Sequence, residues 1–227
     1  MIANRPQAVI FDMDGLMLDT EPLAARAWTD AANACGIPFD KAVTTRLIGR
    51  TFVDCRALIL DHHGSNYPVD QLMNGWGVAY DALVEREGVA VKRGLVELLD
   101  WLEAAAIDKA VATSTRRERA CRKLENAGVL HRFSAIAGGD EVEHGKPAPD
   151  LFLLAAERLA VAPAECLVLE DSPAGLTAAH RAGMHAIGVP DLCKLPATIE
   201  EKRLIAMASL IDVRDFLESL PTRSPMQ

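Results

Sequence analysis

Five short apolar runs set the limits on what this chain can become. They lie at residues 8–11 (AVIF), 110–113 (AVAT), 135–137 (AIA), 166–169 (CLVL) and 186–189 (AIGV). Each is unbroken and bounded by polar residues or glycine, the pattern of strands buried on both faces. Residues 206–210 (AMASL) are a candidate sixth. Between the runs, residues 94–105, 117–127, 150–160 and 173–182 carry apolar side chains at three- and four-residue spacing, as amphipathic helices do. Ser172-Pro173 reads as an N-cap followed by proline at the first helical position. Gly128 and Gly183 stand where helices end. Strand–helix alternation of this kind predicts an α/β fold: a Rossmann-like, doubly wound parallel sheet with helices on both faces.

One stretch breaks the alternation. Residues 20–88 contain no buried-strand run, and helix-like segments occupy 22–35, 39–48, 51–63 and 69–87. The expected organisation is a catalytic core of residues 1–18 and 89–227, with residues 19–88 inserted as an all-helical cap that closes as a lid.

Charge and cysteine usage exclude several function classes. The net charge of −8 argues against a nucleic-acid binder, which needs a basic face to meet phosphates. The 5 cysteines, Cys35, Cys55, Cys121, Cys166 and Cys193, form no C-x-x-C pair, so a reducing cytoplasm is the expected setting. The first apolar run is too short for a signal peptide, and no stretch is long enough to span a membrane. The tail PTRSPMQ is polar and expected to be disordered.

In an open parallel sheet, ligands gather beyond the carboxyl ends of the strands. Asp12 and Asp14 follow the first run; Thr113, Ser114, Thr115 and Arg116 end the second; Lys146 follows the third in HGKPAPD; Glu170 and Asp171 end the fourth. Clustered carboxylates repel unless a cation or proton lies between them. An oxygen-only ligand set suits a hard cation, Mg²⁺ foremost. Hydroxyls, helix-start amides and a lysine suit a phosphate. Together they point to phosphoryl transfer, with Asp12 a candidate nucleophile and Asp14 a candidate acid and base. Each motif alone has a plainer reading: Asp12 and Asp14 as turn residues before Gly15, the hydroxyl run and Glu170-Asp171 as helix caps, Lys146 as a solvated loop residue.

The ordered set D-x-D-G, a strand ending in Thr-Ser, G-K-P-x-P-D and E-D-S-x-x-G resembles the haloacid dehalogenase-like hydrolases over nearly the whole chain. The insertion after the first motif resembles their helical-cap subgroup, which includes β-phosphoglucomutase and small sugar-phosphate phosphatases. The resemblance implies the following roles. Asp12 is nucleophile and metal ligand; Asp14 is acid and base, and binds the metal through its backbone carbonyl. Thr113 holds the phosphoryl group with the Ser114 amide, and Lys146 balances its charge. Asp171 binds Mg²⁺, and Glu170 supports the metal directly or through water.

The mutases carry a cap histidine where this chain has Ala24, four residues after Thr20, and a cap lysine; no lysine occurs between positions 42 and 91. The missing lysine also counts against a phosphonatase, and the presence of Asp14 against a dehalogenase. The leading reading is therefore a phosphatase acting on a small phosphorylated metabolite, a sugar phosphate or nucleoside monophosphate, through an aspartyl-phosphate. It is expected to be a monomer or weak homo-oligomer. A mutase and a non-turnover phospho-signalling module are the alternatives. Arg50, after a glycine in IGRT, and Glu21 at the cap entrance are the candidate substrate contacts.

Overall fold

A computed structural model describes residues 2–47, 52–191, 195–200 and 202–222. The chain divides into two units, Met1–Leu18 with Val91–Gln227, and Asp19–Ala90. Arg50 and the end of the polar tail lie outside the described residues.

In chain order, β1 (Ala8–Phe11) is followed by the helices of the second unit: α1 (Glu21–Cys35), α2 (Thr44–Leu47), α3 (Phe52–His63) and α4 (Val69–Glu87). The first unit resumes with α5 (Leu95–Ala104), β2 (Asp108–Ala112), α6 (Arg117–Asn126), β3 (Ala135–Ala137) and α7 (Asp150–Leu159). It continues through β4 (Cys166–Glu170), α8 (Pro173–Arg181) and β5 (His185–Gly188). A short ribbon, β6 (Thr198–Ile199) and β7 (Lys202–Arg203), precedes β8 (Ile205–Ala206) and α9 (Leu210–Ser219). The sheet has 6 strands in the order β3-β2-β1-β4-β5-β8, all parallel. The candidate sixth strand at 206–210 falls one residue early: Ser209 caps α9 by accepting from the Asp212 amide, which turns the segment into a helix start.

β1 is first in sequence yet central in space. Ala8 is level with Asp108 on one side and Cys166 on the other, and Phe11 with Val111 and Leu169. The chain leaves β1 toward β2 in one direction and β4 in the other, so a crevice opens beyond its carboxyl end. Strand alternation splits the apolar side chains between two faces. Ala8, Ile10, Ala110, Ala112, Cys166 and Val168 pack against α7 and α8, where their small volumes admit Leu151 and Phe152.

The second unit is helical. α1 packs along α4, and its core holds Trp28, Ala31, Ile59, Val69 and Leu72. Trp28 and Trp76 lie 5.4 Å apart, and Trp76 stacks on Tyr80 at 5.0 Å. Gly36 ends α1 at φ 66°, a left-handed backbone that glycine adopts without a Cβ penalty.

Candidate active site

The register of β1 determines where its carboxylate emerges. The Asp12 amide donates to the Leu169 carbonyl at 3.0 Å, so the ladder with β4 runs one residue past Phe11. Asp12 is thereby held rigidly and is only 8 % exposed. Glu170, 1 % exposed, ends β4 beside it, and Asp171 follows. Asp12, Glu170 and Asp171 each offer an oxygen, all within 4.8 Å of one another.

Lys146 is inserted into this cluster. Its ammonium donates to Asp12 Oδ1, to Glu170 Oε1 at 2.8 Å and to the Ala112 carbonyl at 3.1 Å, and it lies over the Phe152 ring at 4.9 Å. The other Glu170 oxygen accepts from the Ser172 amide at 2.6 Å. Burial pushes the Asp12 carboxyl up to about 7; Lys146 opposes the rise, while Glu170 and Asp14 add to it. Burial, then Asp12 and Glu170, push Asp171 up to about 9. Burial by itself would pull the Lys146 ammonium down, but Asp12 and Glu170 outweigh it and hold it above its ordinary value.

Two buried carboxylates and the half-buried Asp171 against one ammonium leave excess negative charge in a largely desolvated place. The donor set is oxygen only, which fits a hard divalent cation. Two glycines make room for it. Gly15, at φ +87°, would bring a Cβ within 2.5 Å of Asp171 Oδ2, and Gly175 would bring one within 1.7 Å of Glu170 Oε1.

Asp14 stands apart from that trio. Its Oδ1 accepts from the Lys123 ammonium at 2.7 Å and its Oδ2 from the Thr115 hydroxyl at 2.8 Å. Thr113, 1 % exposed, closes β2 with its amide on the Ala137 carbonyl at 3.0 Å, and its hydroxyl accepts from the Thr115 amide at 3.1 Å. Ser114 lies in the turn between them, so close to Gly139 that a Cβ there would fall 2.2 Å from the Ser114 carbonyl oxygen. A family model of the haloacid dehalogenase-like hydrolases matches residues 6–183, which contain all of these groups. The chain belongs to that family.

This hydrolase is 32 % identical over 201 residues to the fructose-1-phosphate phosphatase YqaB of Escherichia coli (strain K12), covering 82 % of the chain and 97 % of that protein. It is 34 % identical over 189 residues to the beta-phosphoglucomutase of Bacillus subtilis (strain 168), covering 81 % and 83 %. The crystal structure of a hydrolase from Deinococcus radiodurans R1 with bound phosphate and sodium superposes with a TM-score of 0.77 at 27 % identity, covering 94 % of this chain and 96 % of that one.

The structure of the hydrolase brings together Asp12, Asp14, Thr113, Ser114, Lys146, Glu170 and Asp171 at the carboxyl ends of β1, β2 and β4. Glu21 belongs to the helical unit, where it opens α1 and its charge suits the amide end of the helix. The adjacent His62 and His63 lie edge to face at 4.8 Å there, His62 meeting Asp40 at 2.9 Å and His63 stacking on Tyr67 at 4.3 Å. Sequence reasoning missed Lys123. The available signal was a lysine sharing the stripe of Ala120 and Leu124, the buried face of α6. Among the described residues, no helix is long and apolar enough to cross a membrane.

Proposed function

We propose that this hydrolase is a Mg²⁺-dependent phosphatase for small organic phosphate monoesters, with phosphorylated sugars the foremost class. The observation that supports it best is the pairing of two unlike carboxylates two residues apart. Asp12 is buried against Lys146, and Asp14 is held by Lys123 and Thr115.

Asp12 attacks phosphorus, the bond from phosphorus to the ester oxygen breaks, and Asp14 protonates the departing alkoxide. Asp14 then takes a proton from water as that water attacks the aspartyl-phosphate, releasing inorganic phosphate and restoring Asp12. Thr113 and the Ser114 amide hold the phosphoryl oxygens, and Lys146 neutralises them. Asp12, Asp171 and the Asp14 carbonyl would hold Mg²⁺, with Glu170 supporting it directly or through water and tethering Lys146. Bound Mg²⁺ supplies charge neutralisation at the phosphoryl group. Residues 19–88 act as a specificity cap, with Arg50 and Glu21 as its candidate contacts. Among the described residues, Cys35, Cys55, Cys121 and Cys166 form no disulfide, in keeping with a cytoplasmic setting. The acidic balance supports a small-molecule partner over nucleic acid, and a monomer or weak homo-oligomer is expected.

Phosphate release across sugar phosphates, nucleoside monophosphates and phosphoglycolate, with and without Mg²⁺, tests this reading. Many turnovers per protein, lost with chelator, are expected. At most one phosphate released per protein would indicate a phospho-binding module. The beta-phosphoglucomutase likeness keeps one rival: efficient conversion of β-glucose 1-phosphate to glucose 6-phosphate would make the chain a mutase.

A further inference from the structure

Among the charged residues of α6, Lys123 is the buried one. Lys123 is only 5 % exposed and lies beside Ala120 and Leu124 on the buried stripe. An ammonium in that position costs desolvation that a methionine or leucine would avoid. Side chains on a helix lean toward its N-terminus, which for α6 is the end joined to the Thr113–Ser114–Thr115 turn. Lys123 therefore runs back along its own helix to the carboxyl end of the sheet and meets Asp14 Oδ1 at 2.7 Å. Thr115 Oγ1 meets the other oxygen at 2.8 Å. The Gly139 amide on the Thr115 carbonyl, at 2.9 Å, steadies that turn in its place.

We propose that Lys123 is a positioning residue for Asp14. A carboxylate on a single-bonded stem sweeps several rotamers, and proton transfer demands one. Lys123 and Thr115 grip one oxygen each, so both the rotamer and the ring of directions open to the acid are limited. Lys123 meets Asp14 Oδ1 and acts through it. This rests on the phosphatase reading given above, in which Asp14 protonates the leaving group.

The test exploits leaving-group chemistry. Fructose 1-phosphate departs as an alkoxide that needs a proton, whereas p-nitrophenyl phosphate departs as a stable anion that does not. Lys123→Met is expected to lower kcat/KM, which reads the steps up to leaving-group departure, about tenfold for fructose 1-phosphate, with kcat/KM for p-nitrophenyl phosphate within about threefold of wild type. Hydrolysis of the aspartyl-phosphate also uses Asp14 and is shared by both substrates, so kcat does not discriminate. Asp14→Asn should show the same selectivity, more strongly. Thr115→Val, at a half-buried turn, removes the other grip and should reproduce the pattern if Lys123→Met does not fold. Equal losses of kcat/KM on both substrates, or no loss on either, would overturn the proposal. Selectivity in neither Asp14→Asn nor Lys123→Met, with wild type turning over normally, would overturn it while leaving the phosphatase intact. A wild-type protein that hydrolyses neither substrate, nor any other phosphate monoester, would overturn both.

Discussion

The carboxylates at the ends of β1 and β4 and those of the helical unit are the same chemical groups under opposite conditions. Asp12 and Asp171 are pushed up to about 7 and about 9, chiefly by burial. In the helical unit the Arg26 guanidinium, followed by Arg86, holds Glu87 down at about 2. Arg56 lowers Asp70, and the Ala42 amide and then His62 lower Asp40. The helical unit puts its charges where water and arginines satisfy them. The sheet unit does the same with Glu103 and Glu141, beside Arg132 and Arg158, but at the ends of β1 and β4 it concentrates carboxylates where a cation or a proton must supply the balance. Glycines follow the same division. Gly15 and Gly175 exist to let carboxylates approach backbone, whereas Gly77, inside α4, has nothing within 4 Å of where its Cβ would be. Desolvated like charges are costly to fold, and their concentration at one strand end marks where chemistry takes place.

Five substitutions or conditions would break or sharpen this contrast. The largest effect is expected from Asp12→Asn, which should lower steady-state phosphate release at least about a thousandfold. Asp70→Asn, in the helical unit, should leave it near wild type. Comparable losses in both would dissolve the contrast.

The next concerns pH. Folded Asp12 and Asp171 keep protons that the unfolded chain releases above about pH 4, so their contribution to stability is full at low pH. It is lost as pH rises through about 7 and then about 9. Chelator-treated protein should therefore be less stable at pH 9 than at pH 6, on the order of 5 kcal/mol, and added Mg²⁺ should restore most of the difference. A melting temperature indifferent to pH in the presence of chelator would mean the carboxylates ionise freely.

Smaller effects come from the glycines. Gly175→Ala would drive a Cβ to within 1.7 Å of Glu170 Oε1 and should destabilise by about 1–3 kcal/mol in denaturant titration. Gly77→Ala, in open space on a helix, should stabilise by about 0.5–1 kcal/mol. A destabilising Gly77→Ala would show that the helical unit is as constrained as the site.

The local patterns were legible because each is produced by a short stretch of chain. The run at residues 8–11 is β1 itself, and the helical spacing at 69–87 is α4. The Ser172 cap is present, accepting from the Gly175 amide at 3.0 Å. Lys123 was not legible, because a lysine on a helix is ordinarily solvated and its burial depends on the element packed above it. Thr115 read as part of a helix start, since nothing local distinguishes a capping hydroxyl from one that grips a carboxylate.

Sequence by itself determined the alternation of strand and helix, the all-helical insertion and the residue types gathered at the strand ends. Those follow from side-chain periodicity and from turn chemistry, which act over a few residues. Tertiary structure decided which charges meet. Asp12 and Lys146 lie 134 positions apart and Asp14 and Lys123 lie 109 apart, and only the strand order and register bring each pair within hydrogen-bonding distance. Burial, which sets the energy of every one of those charges, is a property of the packed sheet and of no segment within it.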